Sequence, residues 1–226
     1  MKFAVAFVLV LAVPAFAPAQ ILIDDFTTGA ADVSASSGDP YFEQYGTMIG
    51  GSRVEDLNVQ SNPYNATAEF IASGGFGDFE NGPGMVSADS LGWGFDASNG
   101  VFSGQHDIDA NFSQQTYLSM TFAYVEDPIG ISIDFYDGSG NAVGIFGTAQ
   151  ASNTAQTVTF DFANFQYVGG NPSFDWGHIA QIGIVMGGAE SADWALTNVS
   201  AAPEPTSFAL LSLALAGLLN RRRRAA

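Results

Sequence analysis

Short runs in which apolar residues alternate with small or polar ones recur along the middle of the chain, and no helical period persists there. In Leu118-Ser119-Met120-Thr121-Phe122-Ala123-Tyr124 the larger apolar side chains fall on every second position, so one face of an extended strand would lie on a core. The run 157–162 repeats the pattern with Val158, Phe160 and Phe162. Alternating or β-branched runs predict strands at 21–26, 68–72, 118–124, 129–136, 142–147, 156–162, 179–186 and 194–199. Between two of them, Asp137-Gly138-Ser139-Gly140-Asn141 supplies residues that tolerate positive φ and predicts a hairpin turn. So many short strands must cover their faces and edges, and the economical solution is an all-β, antiparallel two-sheet β-sandwich over residues 20–202.

Both ends depart from this pattern. Residues 1–19 carry Lys2, an apolar stretch and small residues at Ala15, Ala17 and Ala19, the order of a secretory signal peptide that signal peptidase would cut between Ala19 and Gln20. Residues 203–226 begin with Pro203-Glu204-Pro205, continue in an apolar run and close on Arg221-Arg222-Arg223-Arg224. A transmembrane helix is expected at 206–220. Its apolar part, about 14 residues and about 21 Å long, is short against a hydrocarbon core of about 30 Å, so insertion would be marginal and transient. Retention of positive charge in the cytoplasm would leave the arginines inside and the domain outside, the orientation the signal peptide also demands.

Charge narrows the partners. The chain has 6 basic and 23 acidic residues, a net charge of −17. Between positions 20 and 202 Arg53 is the only lysine or arginine, facing 22 carboxylates. Such a domain repels phosphate backbones, so nucleic acid is excluded as a partner, whereas metal cations and neutral sugars are admitted. Cysteine is absent, which removes disulfides, thiolate metal sites and a cysteine nucleophile. No Gly-x-Ser-x-Gly elbow and no glycine-rich loop with a lysine occurs either.

Pro-Glu-Pro, an apolar helix and a terminal arginine cluster together resemble a PEP-CTERM sorting signal. The resemblance implies a Gram-negative exported protein whose tail is recognised by an exosortase, a membrane transpeptidase, cut near Pro203 to Pro205, and released to the cell surface or extracellular matrix. The opening Ile21-Leu22-Ile23-Asp24-Asp25-Phe26 and the closing Trp194-Ala195-Leu196-Thr197-Asn198-Val199-Ser200 resemble the first and last strands of galactose-binding-like jelly rolls, the fold of many carbohydrate-binding modules. A jelly-roll-like sandwich is what that implies. Thr197 stands where the family usually carries an aspartate, which speaks against its structural calcium site. Ile49-Gly50-Gly51-Ser52-Arg53, Phe79-Glu80-Asn81-Gly82-Pro83-Gly84 and Leu91-Gly92-Trp93-Gly94-Phe95-Asp96 are, in that succession, similar to a group of PEP-CTERM proteins.

Chemistry has few places to reside. His106 lies between Gln105 and Asp107-Ile108-Asp109, while His178 is expected at a strand edge making a backbone hydrogen bond. Calcium is the cofactor the hard oxygen ligands suit, with Asp24 and Asp25, Asp107 and Asp109, or Asp134 and Asp137 as candidate ligands. The last pair departs from the EF-hand, because Ala142 occupies the position of its glycine. Sugar binding would use aromatic faces: Trp176 with Asp175 first, then Trp93, with Trp194, Tyr41, Tyr45 and Tyr64 also available. Arg53 is expected in a structural ion pair with Glu55 or Asp56. The resulting expectation is a non-enzymatic exported protein binding or structuring extracellular polysaccharide. The alternatives are a polysaccharide hydrolase using a carboxylate pair and a purely structural coat protein.

Overall fold

The computed structural model describes residues 19–97, 107–168 and 173–203. His106, the signal peptide up to residue 18, and the tail from Glu204 through Pro205 to the Arg221–Arg224 cluster lie outside the described residues. Among the described residues the strands are, in chain order, β1 (Ile21–Asp24), β2 (Ala31–Ala35), β3 (Tyr41–Tyr45), β4 (Ser52–Ser61), β5 (Ala68–Ser73), β6 (Phe76–Asn81), β7 (Val86–Trp93), β8 (Tyr117–Val125), β9 (Ile129–Asp137), β10 (Ala142–Ala149), β11 (Gln156–Asp161), β12 (Gln166–Val168), β13 (Ile179–Gly187) and β14 (Trp194–Ala202). Short 3-10 turns occupy Ile49–Gly51 and Phe162–Asn164. No helix among these residues is long and apolar enough to cross a membrane.

The strands form two antiparallel seven-stranded sheets, a jelly-roll-like β-sandwich within the compact unit Gln20–Glu204. The first sheet runs β11-β8-β14-β6-β5-β2, with β1 also paired to β14. The second runs β12-β10-β9-β13-β7-β4-β3. Alternation builds the core, as the sequence requires. Leu118, Met120 and Phe122 of β8, and Ile129, Ile131, Ile133 and Phe135 of β9, are buried while their neighbours are not. They meet Ile182, Ile184 and Met186 of β13 and Trp194 of β14 in one cluster. Taking each such side chain out of water contributes about 1.5–3 kcal/mol. The hairpin at 137–141 forms as expected: Gly140 takes a φ of 79°, and the Asp137 N–H donates to the Asn141 carbonyl at 2.9 Å.

Six strands, β2, β3, β4, β6, β7 and β12, are not predicted by the apolar pattern, and two of them, β4 and β7 in the second sheet, bring charge inside. On β4 the inward positions include Arg53 and Glu55, and on β7 they include Asp89, all of them 0% exposed. Arg53 is in an ion pair, but its partner is neither Glu55 nor Asp56. Its Nη1 donates to Oδ2 of Asp24 at 2.7 Å, from the opposite sheet, with both side chains buried. Glu55 lies two residues along the same strand face, and Asp56 points to the other side of the sheet, so neither faces the guanidinium as Asp24 does. Nη2 donates to the Gly29 carbonyl at 2.9 Å. The guanidinium carbon lies 5.0 Å from the Phe26 ring centre and 5.4 Å from that of Phe70. Asp24 also accepts from Trp93 Nε1 at 3.2 Å and from the Phe26 N–H at 2.8 Å.

Breaking a buried pair by removing one partner leaves an uncompensated charge, a loss of about 3–5 kcal/mol. Arg53→Met is expected to lower the unfolding free energy by that amount. Urea denaturation of the variant beside the parent protein is the measurement, and a change within about 0.5 kcal/mol, the usual range for surface substitutions, would show that the pair carries no such load.

Candidate functional site

The outer face of the second sheet carries the side chains that the core leaves over. Register across neighbouring strands sets them in rows perpendicular to the chain. One row runs Tyr41, Asp56, Ser90, Val185, Ser132, Phe146 from β3 to β10. The next runs Glu43, Val54, Gly92, Gly183, Asp134, Gly144, Gln166 from β3 to β12. Gly183, with no side chain, opens a short trench in the second row, whereas Val54 and Gly92 of that row are buried. Its far wall is Tyr136, with Phe95 edge-on to it at 6.0 Å between ring centres and 89° between planes. Asp56, Ser90, Phe95, Asp134, Tyr136 and Gly183 line a cavity of about 190 Å³ in this trench. Phe146, 71% exposed, and Tyr45, 70% exposed, lie on the same face outside the cavity lining.

The glycines are a steric requirement. A Cβ on Gly144 would collide with Oδ1 of Asp134, so Gly144 gives that carboxylate its seat. A Cβ on Gly183 would meet nothing nearer than Phe95 Cζ at 4.0 Å, so the space above it belongs to the trench and not to packing.

Burial, with a hydrogen bond to Asp39 added, pushes Asp56 up to about 8, so it carries a proton at neutral pH. That hydrogen bond from Asp56 holds Asp39 below the usual carboxylate range. Asp39 further accepts from Asn58 Nδ2 at 2.8 Å and from the Tyr41 hydroxyl at 3.2 Å. Burial raises Asp134 as well. On the inner side of the same strands, burial pushes Asp89 up to about 8 and lifts Glu55 well above its ordinary value, the proximity of Asp89 adding to the latter. Among the described residues the Asp89 oxygens find no hydrogen-bond partner, whereas Gln44 lies against the Glu55 carboxyl.

The residues singled out from the sequence lie elsewhere. Trp93 is 0% exposed and spends its N–H on Asp24, which removes it as a sugar platform. Trp194 is buried against Phe79, at 4.2 Å between ring centres. Trp176 is half-buried and stacked on Phe162, at 4.5 Å and 9°, with Phe135, Phe165 and Phe174 edge-on around it. Asp175 folds back to accept from the Gly177 N–H at 2.8 Å. Of the calcium candidates, Asp24 is consumed by Arg53, and Asp25 caps the Thr27 N–H and hydroxyl. Asp134 faces the trench, whereas Asp137 accepts hydrogen bonds from Ser139, Asn141 and Asp175 at the hairpin. Asp107 and Asp109 do come together, and they meet His178: Nε2 lies 2.8 Å from Asp107 Oδ2 and 3.7 Å from Asp109 Oδ1. The hydrogen bond to Asp107 raises the His178 pKa. Among the described residues no group of three or more acidic or histidine side chains is arranged to hold a metal ion.

A larger, open hollow of about 610 Å³ lies beside Gln115, Tyr117, Asp161 and Phe162 at the edge made by β11. Its groups are already engaged, Phe162 by Trp176 and the Asp161 carboxylate by the Ala163 N–H. The trench, with a protonated carboxyl, a second carboxyl and paired rings around unfilled space, is the better equipped site.

Residues 201–224 match the PEP-CTERM protein-sorting motif. The motif marks an exported chain. No curated protein matches by sequence. Among solved structures the chain is similar to the family 11 carbohydrate-binding module from Clostridium thermocellum in complex with a beta-1,3-1,4-mixed-linked tetrasaccharide, at 11% identity, 81% of this chain, 95% of that one and a TM-score of 0.42. It is also similar to TmCBM61 in complex with beta-1,4-galactotriose, at 12% identity, 72% of this chain, 87% of that one and a TM-score of 0.34. The agarase AgWH50C matches at 10% identity over 82% of this chain but 25% of its own length, with a TM-score of 0.39. Likenesses at this level decide nothing about ligand or chemistry.

Carboxyls whose pKa is raised by folding keep protons that the unfolded chain releases near pH 4. Each therefore contributes stability that is whole below about pH 4 and is lost as pH rises through the folded value of about 8. The melting temperature is expected to fall from pH 5 to pH 8, at up to about 1.4 kcal/mol per pH unit for each proton retained. Asp89→Asn should flatten that slope; calorimetry of both proteins across the range tests it, and parallel slopes would remove Asp89 as a source.

Proposed function

We propose that this is an exported, non-enzymatic protein of the Gram-negative cell surface or extracellular matrix whose sandwich binds polysaccharide in the trench across its second sheet. Signal peptidase would release Gln20 as the first residue, and an exosortase would cut near Pro203 to Pro205. The observation that carries the binding reading is the trench itself: Gly183 leaves its floor open, Tyr136 with the largely buried Phe95 forms a wall, and Asp56 and Asp134 offer hydrogen bonds at its base. Aromatic faces stack on the apolar side of a pyranose ring, and carboxyls take its hydroxyls. Neither requires a metal.

A second reading, hydrolysis, draws on the same cavity, because Asp56 holds a proton and Asp134 lines the same wall, an acid and a carboxylate together. Turnover of a bound glycan that vanishes in Asp134→Asn would establish it. Binding without released sugar supports the non-enzymatic reading.

Gly183→Val puts a β-branched side chain, well suited to a strand, into open trench and should leave the fold intact. Tyr136→Ala removes the wall. Polysaccharide retention is expected to vanish in the first and to weaken by about tenfold, some 1.4 kcal/mol, in the second. Affinity electrophoresis against extracted matrix polysaccharide, with circular dichroism to verify folding, makes the measurement; undiminished retention by folded Gly183→Val would sink the trench as the site.

A further inference from the structure

We infer that Asn111 is an acceptor for an N-linked glycan, received from a polyprenyl-diphosphate-linked oligosaccharide once the chain has been exported. The inference rests on the export that the sorting motif marks and on nothing in the trench. Three asparagines of the chain stand in an Asn-x-Ser/Thr triplet with no proline between: Asn65-Ala66-Thr67, Asn111-Phe112-Ser113 and Asn198-Val199-Ser200. The structure separates them.

Asn198 lies within β14, paired with Thr121 of β8 in the interior of the first sheet. Its Ser200 is 1% exposed, and the hydroxyl already accepts from Gln20 Nε2 at 2.7 Å. A transferase would have to pull out an interior strand to reach this triplet. Asn65 is exposed in the connection between β4 and β5, with a φ of 55°, and among the described residues no hydrogen bond joins it to Thr67.

Asn111 differs on each count. It lies outside the strands on the segment leading to β8, exposed along with Asp109 and Ser113. Phe112 between them turns into the core, at 0% exposure, and so fixes its neighbours outward. Asn111 Oδ1 accepts from the Ser113 N–H at 3.0 Å and from Ser113 Oγ at 2.6 Å, a closed turn of amide and hydroxyl. Both donors fall on the amide oxygen, so Nδ2, the atom that must react, has no partner among the described residues. Drawing charge onto the oxygen also makes the amide N–H groups more acidic. Because the contact spans two residues, it can form in a newly exported chain before Phe112 packs.

Asp109 adds a carboxylate two positions before Asn111, where the other triplets have Pro63 and Leu196. It is 87% exposed, and its contact with His178 Nε2 is a loose 3.7 Å, so it is free to meet a cation of the transferase. In the transfer Nδ2 bonds to the anomeric carbon and that carbon's bond to the diphosphate breaks. The polyprenyl diphosphate leaves with the electron pair, and one amide proton passes to a base of the transferase.

The test exports the full chain in a bacterial host supplied with an oligosaccharyltransferase and its polyprenyl-diphosphate-linked oligosaccharide. Intact mass and peptide mass spectrometry of the exported fraction are the readouts. Expected is a single glycan on Asn111, absent in Asn111→Gln and retained in Asn65→Gln. Ser113→Thr, which keeps the hydroxyl, should be modified like the parent, whereas occupancy in Ser113→Ala should fall at least about tenfold, the factor one net hydrogen bond carries. The substituted positions are exposed, so the variants keep the fold. An exported chain that stays unmodified, a glycan on Asn65 or Asn198 instead, or full occupancy in Ser113→Ala overturns the inference while export stands. A chain held in the cytoplasm sinks the export reading and the inference with it.

Discussion

The contact on which the architecture turns is the buried pair of Arg53 and Asp24. Asp24 ends β1 in the first sheet, and Arg53 opens β4 in the second, so their 2.7 Å contact ties the two layers together. Trp93 on β7 donates to the same carboxylate, which links a third strand to the pair. A guanidinium in the core requires an anion, planar donors well used and aromatic faces around it, and Asp24, Gly29, Phe26 and Phe70 supply these. The same strands carry Glu55 and Asp89 inward, where one arginine cannot neutralise three carboxyl groups; burial leaves the surplus protonated.

That inversion of polarity explains what the sequence reveals and what it conceals. Where apolar side chains face the core, as in Ile129-Gly130-Ile131-Ser132-Ile133, the period of two is plain and the strand is found. In Ser52-Arg53-Val54-Glu55-Asp56 the residues facing the core are charged, so β4 reads as a loop. β7, with Asp89 inward and Ser90 and Gly92 outward, is hidden for the same reason. The sandwich was legible from the regular strands alone, because any antiparallel set of that number needs a second layer. The sorting motif was legible because its signal is local: a tripeptide, an apolar run and a charge cluster in fixed order.

The trench was not legible, and no closer inspection of single strands would have revealed it. Its lining, with Asp56, Ser90, Asp134 and Gly183, is assembled at right angles to the chain from residues far apart in sequence. Gly183 taken alone reads as a weak point in a strand, and only register sets it beside Asp134 as one feature. The tryptophans, conspicuous in composition, went to the core or to the cluster around Phe162, whereas Tyr136 and Phe95 became the wall. Large aromatics gain most by burial, so their type is a poor guide to exposure.

The position of β14 bears on how such a molecule comes into being. It is the last strand of the chain, yet it is interior to the first sheet, paired with β8 on one side and with β6 and β1 on the other. Ala201 and Ala202, the first residues of the sorting motif, are its closing residues. Until they arrive, the first sheet is two fragments with open edges, and the ion pair between layers lacks a firmly seated β1. The first sheet is therefore completed only by the stretch of chain that runs directly into the sorting motif.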